Sequence, residues 1–191
     1  LWSPALSATD VDLAQPIREA FGVEPVMAND AVAVALALTA AEPALAQGHS
    51  ATIVVGHGVG MGVVIDGEAR WGADAGSEIG HVKLASDGPQ CRCGQRGCIE
   101  AYLADYALYR DARTFLDLPP AASQQPSEAQ MALLRERAQS GDPRLEQVFQ
   151  AAGRSLAEAV AATISVLRPH HVVLAGPGLQ AFEMMRHAYE E

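Results

Sequence analysis

Ser77-Glu78-Ile79-Gly80-His81 and, ten residues beyond His81, Cys91-Arg92-Cys93-Gly94-Gln95-Arg96-Gly97-Cys98-Ile99-Glu100 form the stretch on which this sequence turns. It holds all three cysteines of the chain. Thiolate and imidazole are ligands that zinc favours, and His81, Cys91, Cys93 and Cys98 would complete a tetrahedral shell. Cys91 and Cys93 are too constrained, one residue apart, to bridge each other readily. Gly94 and Gly97 permit sharp turns between the ligands. A closed shell makes the metal structural and ties the 88–100 loop to the 78–81 segment. Three free thiols beside an unrelated histidine are the reading that the spacing leaves open.

The rest of the composition narrows the class. Cysteines this clustered do not read as a secreted disulfide framework. The chain has 191 residues, 13 Lys+Arg against 23 Asp+Glu and 49% hydrophobic residues. That is enough apolar content for a core and argues against disorder. A formal net charge of -10 disfavours a nucleic-acid-binding surface, which needs clustered cations. There is no apolar run of membrane-spanning length and no leading signal peptide. A soluble, cytoplasmic protein is the expectation. The chain opens on Leu1 within a loop-like 1–4 stretch and closes inside a helical pattern, so it reads as a piece cut at both ends.

Alternating elements point to an α/β fold. Residues 12–21 read as a short amphipathic helix and 25–28 as a short strand. Asn29 or Asp30 then caps a helix to 42 whose Ala, Val and Leu residues cover almost every side, so burial is expected. Residues 51–55 are a continuous apolar β-rich run, the mark of a strand covered on both faces. A glycine-rich turn over 56–62 leads into a strand over 61–65, and Asp66-Gly67 signals a hairpin. Helices are expected over 99–115 with a break near Asp105, over 127–139, and over 143–167 with Asp142 as cap and Pro143 first. The polar 118–127 stretch is a loop. A buried strand over 171–175, the turn Gly176-Pro177-Gly178 and a last helix follow.

Two further sites carry alternatives. Asn29-Asp30 follows the expected 25–28 strand. The pair can be a simple N-cap, or Asp30 can face a cleft and take a proton from a substrate hydroxyl while Asn29 bonds neighbouring hydroxyls. The two roles are compatible, since a carboxylate has two oxygens. The glycines Gly56, Gly58, Gly60 and Gly62 let backbone N–H groups approach phosphate, or simply make a tight hairpin. The loop is neither a Walker loop nor a dinucleotide fingerprint, because no Lys-Ser/Thr ends it and a strand follows it.

In this order, Asn29-Asp30-Ala31, the 56–62 loop, Glu78-Ile79-Gly80-His81 and Cys91-x-Cys93-Gly94-x-x-Gly97-Cys98-x-Glu100 resemble the ROK family (repressor, open reading frame, kinase) of the actin-like ATPase and sugar kinase superfamily. The 169–178 run also looks like the family's last core strand and glycine turn. The resemblance spans nearly the whole chain. It implies a ribonuclease H-like, partial two-lobe architecture, with 1–47 the tail of a first lobe and 48–191 most of a second. It also implies one structural zinc on His81, Cys91, Cys93 and Cys98, and a sugar pocket lined by Asn29, Asp30, Glu78, His81 and Glu100. His81 then serves both sites, one ring nitrogen on the metal and the other toward a sugar hydroxyl. In the family's kinases the residue matching Asp30 is the base on the hydroxyl that receives phosphate from ATP with Mg2+.

The departures separate two functions. Family kinases usually read Gly-Thr-Gly-Ile-Gly-Gly-Gly at the loop, where this chain has His57 for Thr and Met61 for a Gly. Regulators of the family vary at the same two positions. Ser77 replaces a Gly, and Ala28 and Val32 replace a Glu and an Asn. The expectation is therefore the sugar-binding effector domain of a sugar-responsive regulator of the xylose or N-acetylglucosamine repressor type. It would contact DNA only through a domain absent from this chain and assemble as a dimer or tetramer. An ATP-dependent hexose or N-acylhexosamine kinase is the alternative. A kinase fold kept only for oligomerisation fits poorly with the intact polar set Asn29, Glu78, His81 and Glu100.

Overall fold

The computed structural model describes residues 11–69, 76–121 and 125–191; the expectation for residues 1–4 lies outside them. Four strands form one sheet in the order β3-β2-β1-β4. β1 (His49–Val55) pairs antiparallel with β2 (Val59–Ile65) and parallel with β4 (His171–Ala175), and β2 turns through Asp66-Gly67 into the two-residue β3 (Glu68–Ala69). Asp66 and Gly67 both take positive φ, +49° and +81°, which matches the twist of a two-residue hairpin. Residues 50–53 and 55 of β1 are buried on both faces, as a central strand with a continuous apolar run requires.

The side-chain alternation of β1 and β2 sorts the two faces. Ala51, Ile53, Val55, Val59 and Met61 join the main core with helices α3 (Glu100–Leu103), α4 (Asp105–Ala112), α5 (Glu128–Gln139), α6 (Pro143–Leu167) and α7 (Phe182–Glu190). Phe149, Leu145, Leu156, Leu134 and Met185 are fully buried there. On the opposite face lies α2 (Asp30–Ala41), preceded in the chain by α1 (Ala14–Phe21). Gly60 and Gly62 point at α2. A side chain at Gly62 would sit 2.7 Å from Ala35 Cβ and collide with the Ala31 carbonyl. The helix therefore approaches β2 more closely than any other residue type would permit.

Most expected elements are present, and four expectations are corrected. Residues 25–28 form no strand and pair with none among the described residues, since a strand's backbone groups need a neighbour to bond. α2 buries only Ala31, Val32 and Ala35, so a helix apolar on nearly every side still presents one stripe to this sheet. The turn after β1 is three residues, 56–58, with Gly60 and Gly62 inside β2, where close packing explains them. β4 is half-buried rather than buried, because it lies at the edge of the sheet. The long helix needs no correction: the Asp142 side chain accepts from the Arg144 amide at 3.0 Å, Pro143 opens α6 and the helix closes at Arg168 in the left-handed region.

Candidate metal centre and ligand site

The segment after β2 returns along it. Ser77 bridges Met61, and Gly80 packs so tightly on the Val59 backbone that a side chain there would collide. This fixes Glu78, the 3-10 turn Ile79–His81 and the His81 ring at the start of β2. The cysteine loop then folds back on the same place. Lys83 bridges Cys98, and Gln90 bridges Arg96. Gly94 and Gly97 take φ of +87° and +71°, the backbone the loop needs to face its thiols inward.

The result brings the four predicted ligands together. One ligand atom from each of His81, Cys91, Cys93 and Cys98 lies within 4.8 Å of every other. Cys91 Sγ is 3.6 Å from His81 Nδ1, and Cys93 Sγ is 3.7 Å from Cys98 Sγ. A tetrahedral zinc shell with Zn–S of ~2.3 Å and Zn–N of ~2.0 Å has edges of ~3.5–3.8 Å. The donor set and its spacing therefore fit zinc, and the cysteines are free rather than bridged. Burial raises the Cys91 thiol above its ordinary pKa, and burial beside the other two thiols pushes Cys98 up to about 12. Without a cation, this pocket favours neutral sulfurs. A bound divalent ion reverses that preference and holds coordinated thiols as thiolates.

The other face of the histidine meets the expected ligand site. His81 Nε2 lies 3.6 Å from Glu78 Oε2, so the ring places Nδ1 among the thiols and Nε2 beside a carboxylate. That carboxylate is mostly exposed and available to hydroxyls. Asn29 caps α2, its Oδ1 accepting the Ala31 and Val32 amides at 3.0 and 3.2 Å, and its amide group packs against Gly76. Asp30 accepts the Ala31 amide at 2.8 Å and is otherwise exposed. The capping reading of the pair is thus realised, and it leaves an Asp30 oxygen for a second role.

Glu100, the remaining residue expected to line the sugar pocket, is also bonded within the protein. It is only 7% exposed. Its Oε2 accepts the Val59 amide at 3.2 Å, and its Oε1 lies 3.4 Å from the Tyr106 hydroxyl and 3.8 Å from Cys91 Sγ. A side chain at Gly58 would meet that same Oε2 at 2.9 Å. Glu100 thus ties the glycine turn to the metal loop. Burial raises the Tyr106 hydroxyl pKa, so it stays a neutral donor.

Contacts that spacing did not point to complete the site. His57 Nδ1 lies 3.0 Å from Oδ2 of the buried Asp105 and 2.8 Å from Gln125 Nε2. Arg92 reaches from the cysteine loop to the same turn. A separation of 48 residues between His57 and Asp105 hides the first contact from any local pattern; the break before Asp105 was its one visible trace.

The sequence pattern of the ROK family matches residues 2–191. The chain belongs to the ROK family. It is 30% identical over 184 residues to a glucokinase of Thermotoga maritima, covering 92% of this chain and 57% of that protein. It is 24% identical over 190 residues to the N-acetylglucosamine repressor of Escherichia coli O157:H7, covering 99% of this chain and 47% of the repressor. Among solved structures it is similar, with a TM-score of 0.77 and 25% identity, to a ROK glucokinase of Streptomyces griseus in complex with glucose and AMPPNP, over 98% of this chain and 64% of that one. This ROK chain thus has the mixed α/β, actin-like fold of the sugar kinases and spans about half the length of the curated relatives it matches. Kinases and repressors both stand among them. No helix among its described residues is long and apolar enough to cross a membrane.

Proposed function

We propose that this chain is the sugar-binding effector part of a cytoplasmic ROK transcriptional regulator, divided between lobes near 47/48 and structured by one zinc ion. The observation that carries the regulator reading is the turn after β1. His57 occupies the position of the kinases' threonine and is bonded at 3.0 Å to a buried carboxylate, and the Glu100 carboxylate lies against Gly58. The Asp105 carboxylate that holds His57 beside the turn opposes a bound polyphosphate, and no threonine hydroxyl is present to receive it. In this reading His81, Cys91, Cys93 and Cys98 hold zinc, which orients the His81 ring. Asn29, Asp30, Glu78 and His81 Nε2 supply hydrogen bonds to adjacent sugar hydroxyls. Glu100 lines the same pocket and also holds the turn through the Val59 amide. The sugar shifts the protein between two conformations by binding them unequally, and a DNA-binding domain and a dimer or tetramer partner read out that shift.

A kinase reading has its own support in the retained Asp30 and the 30% identity to a glucokinase. In it Asp30 is the base on the accepting hydroxyl, the turn over Gly56 and Gly58 with Gly60 and Gly62 behind it receives ATP with Mg2+, and phosphoryl transfer rests on positioning. One experiment separates the two. Full-length protein is titrated with hexoses, pentoses and N-acetylhexosamines by calorimetry, then assayed for sugar-dependent ATP turnover. The regulator reading expects sugar binding, weakened at least tenfold by Glu78→Gln, with no turnover. Turnover that Asp30→Asn abolishes would overturn it in favour of the kinase.

A further inference from the structure

Arg92 stands between two metal ligands, Cys91 and Cys93, yet its side chain leaves their loop. The guanidinium carbon lies 3.9 Å from the centre of the Tyr106 ring, a cation over an aromatic face. Its Nη1 donates to the His57 carbonyl at 3.5 Å. Tyr106 lies in the first turn of α4, next to Asp105, and Asp105 touches the same turn twice: its amide donates to the Gly56 carbonyl at 2.9 Å and its carboxylate meets the His57 ring. The 56–58 turn is therefore held from α4 through Asp105 and from the cysteine loop through Arg92. The His57 side chain itself is 73% exposed; its ring meets Asp105 at 3.0 Å and Gln125 Nε2 at 2.8 Å, while Arg92 holds the backbone carbonyl from which that ring projects.

We propose that Arg92 is a positioning residue through which metal binding at Cys91 and Cys93 sets the place of the His57 imidazole. With both flanking thiolates on one ion, the backbone of Arg92 is fixed at two points. Its planar guanidinium then reaches the Tyr106 face and the His57 carbonyl together. Without the ion, the Cys91 and Cys93 side chains are released, and the Arg92 backbone is left to the loop's own hydrogen bonds, among them Cys91 N–H to the Gln95 carbonyl and Gly94 N–H to the Cys91 carbonyl. A lysine would not substitute, since it lacks the flat surface that stacks while donating. The inference rests on the metal reading above and adds to it a path from the metal to the turn that distinguishes this chain from the family's kinases.

The test is the 13C–1H spectrum of histidine-labelled protein, zinc-loaded and zinc-stripped, with His57 assigned by His57→Gln and zinc content measured on each sample. The expected result is that the His57 Cε1–H resonance of the wild type moves by more than its linewidth on stripping. In Arg92→Met, which keeps the apolar stem and removes the guanidinium, it should lie away from the zinc-loaded wild-type position and respond little to stripping. Should Arg92→Met not fold, Arg92→Lys, which keeps the charge but lacks the flat surface that stacks while donating, is read the same way, and the wild-type comparison stands alone. A wild-type His57 signal indifferent to zinc overturns the proposal, as does a variant that responds like the wild type. Wild-type protein that takes up no zinc overturns the metal reading itself and this inference with it.

Discussion

The Glu100 carboxylate touches the Cys91 thiol: Oε1 lies 3.8 Å from Sγ, while Oε2 accepts the Val59 amide at the start of β2. One buried side chain thus joins the metal loop to the sheet. Removing it leaves a buried N–H without its acceptor, a loss of about 1–3 kcal/mol. Glu100→Ala should lower stability by that amount in urea unfolding, and Glu100→Gln, which keeps an acceptor for Val59, should cost clearly less. Equal losses would mean that the bond to Val59 is not what Glu100 contributes.

Gly62 and Gly94 separate two reasons for a glycine. At Gly62 a methyl group collides with Ala31 and Ala35 across the α2–β2 contact, an overpacking cost of about 1–3 kcal/mol. At Gly94 the space is open and only the φ of +87° resists a side chain, roughly 1–2 kcal/mol. Gly62→Ala should therefore destabilise the whole fold in a denaturant melt. Gly94→Ala should also weaken metal retention, since Gly94 shapes the ligand loop. Retention unchanged in Gly94→Ala would show that the loop adapts.

Asp142 gives a pH signature. Its contacts with the Arg144 guanidinium and amide lower its pKa to about 2. A folded-state pKa below the unfolded one means that its contribution is present above the usual carboxylate pKa and is lost as pH falls from about 4 toward 2. An NMR titration should place its midpoint near 2. Asp142→Asn, which still caps α6, should flatten that part of the stability–pH curve. A midpoint near 4 would contradict the contact.

Much of this was legible because it is local. Asp142-Pro143 announces the start of α6, and the histidine and cysteine spacing announces the ligand cluster that the fold assembles. Residues 25–28 were not legible as unpaired chain, because pairing depends on a neighbour rather than on composition. The four glycines of 56–62 looked like one loop. Two belong to β2, and their cause, α2, lies about 30 residues earlier. The bond from the Val59 amide to Glu100 was not legible, because 41 residues separate the two and a carboxylate shows no burial in sequence.

If zinc orients His81, then stripping it frees the ring that faces Glu78. Loss of such an orienting contact typically costs roughly 10–100-fold. Sugar affinity in calorimetry should fall by about tenfold or more on chelation and return when zinc is restored. Affinity indifferent to chelation would uncouple the metal from the pocket.

The central claim is that His81, Cys91, Cys93 and Cys98 converge on one divalent ion. X-ray absorption at the zinc edge, on protein purified without chelators, tests it most directly. One zinc per chain, with three sulfurs at ~2.3 Å and one nitrogen at ~2.0 Å, is the expected result. A chain that binds no zinc, or holds it in a shell of oxygens, would contradict it.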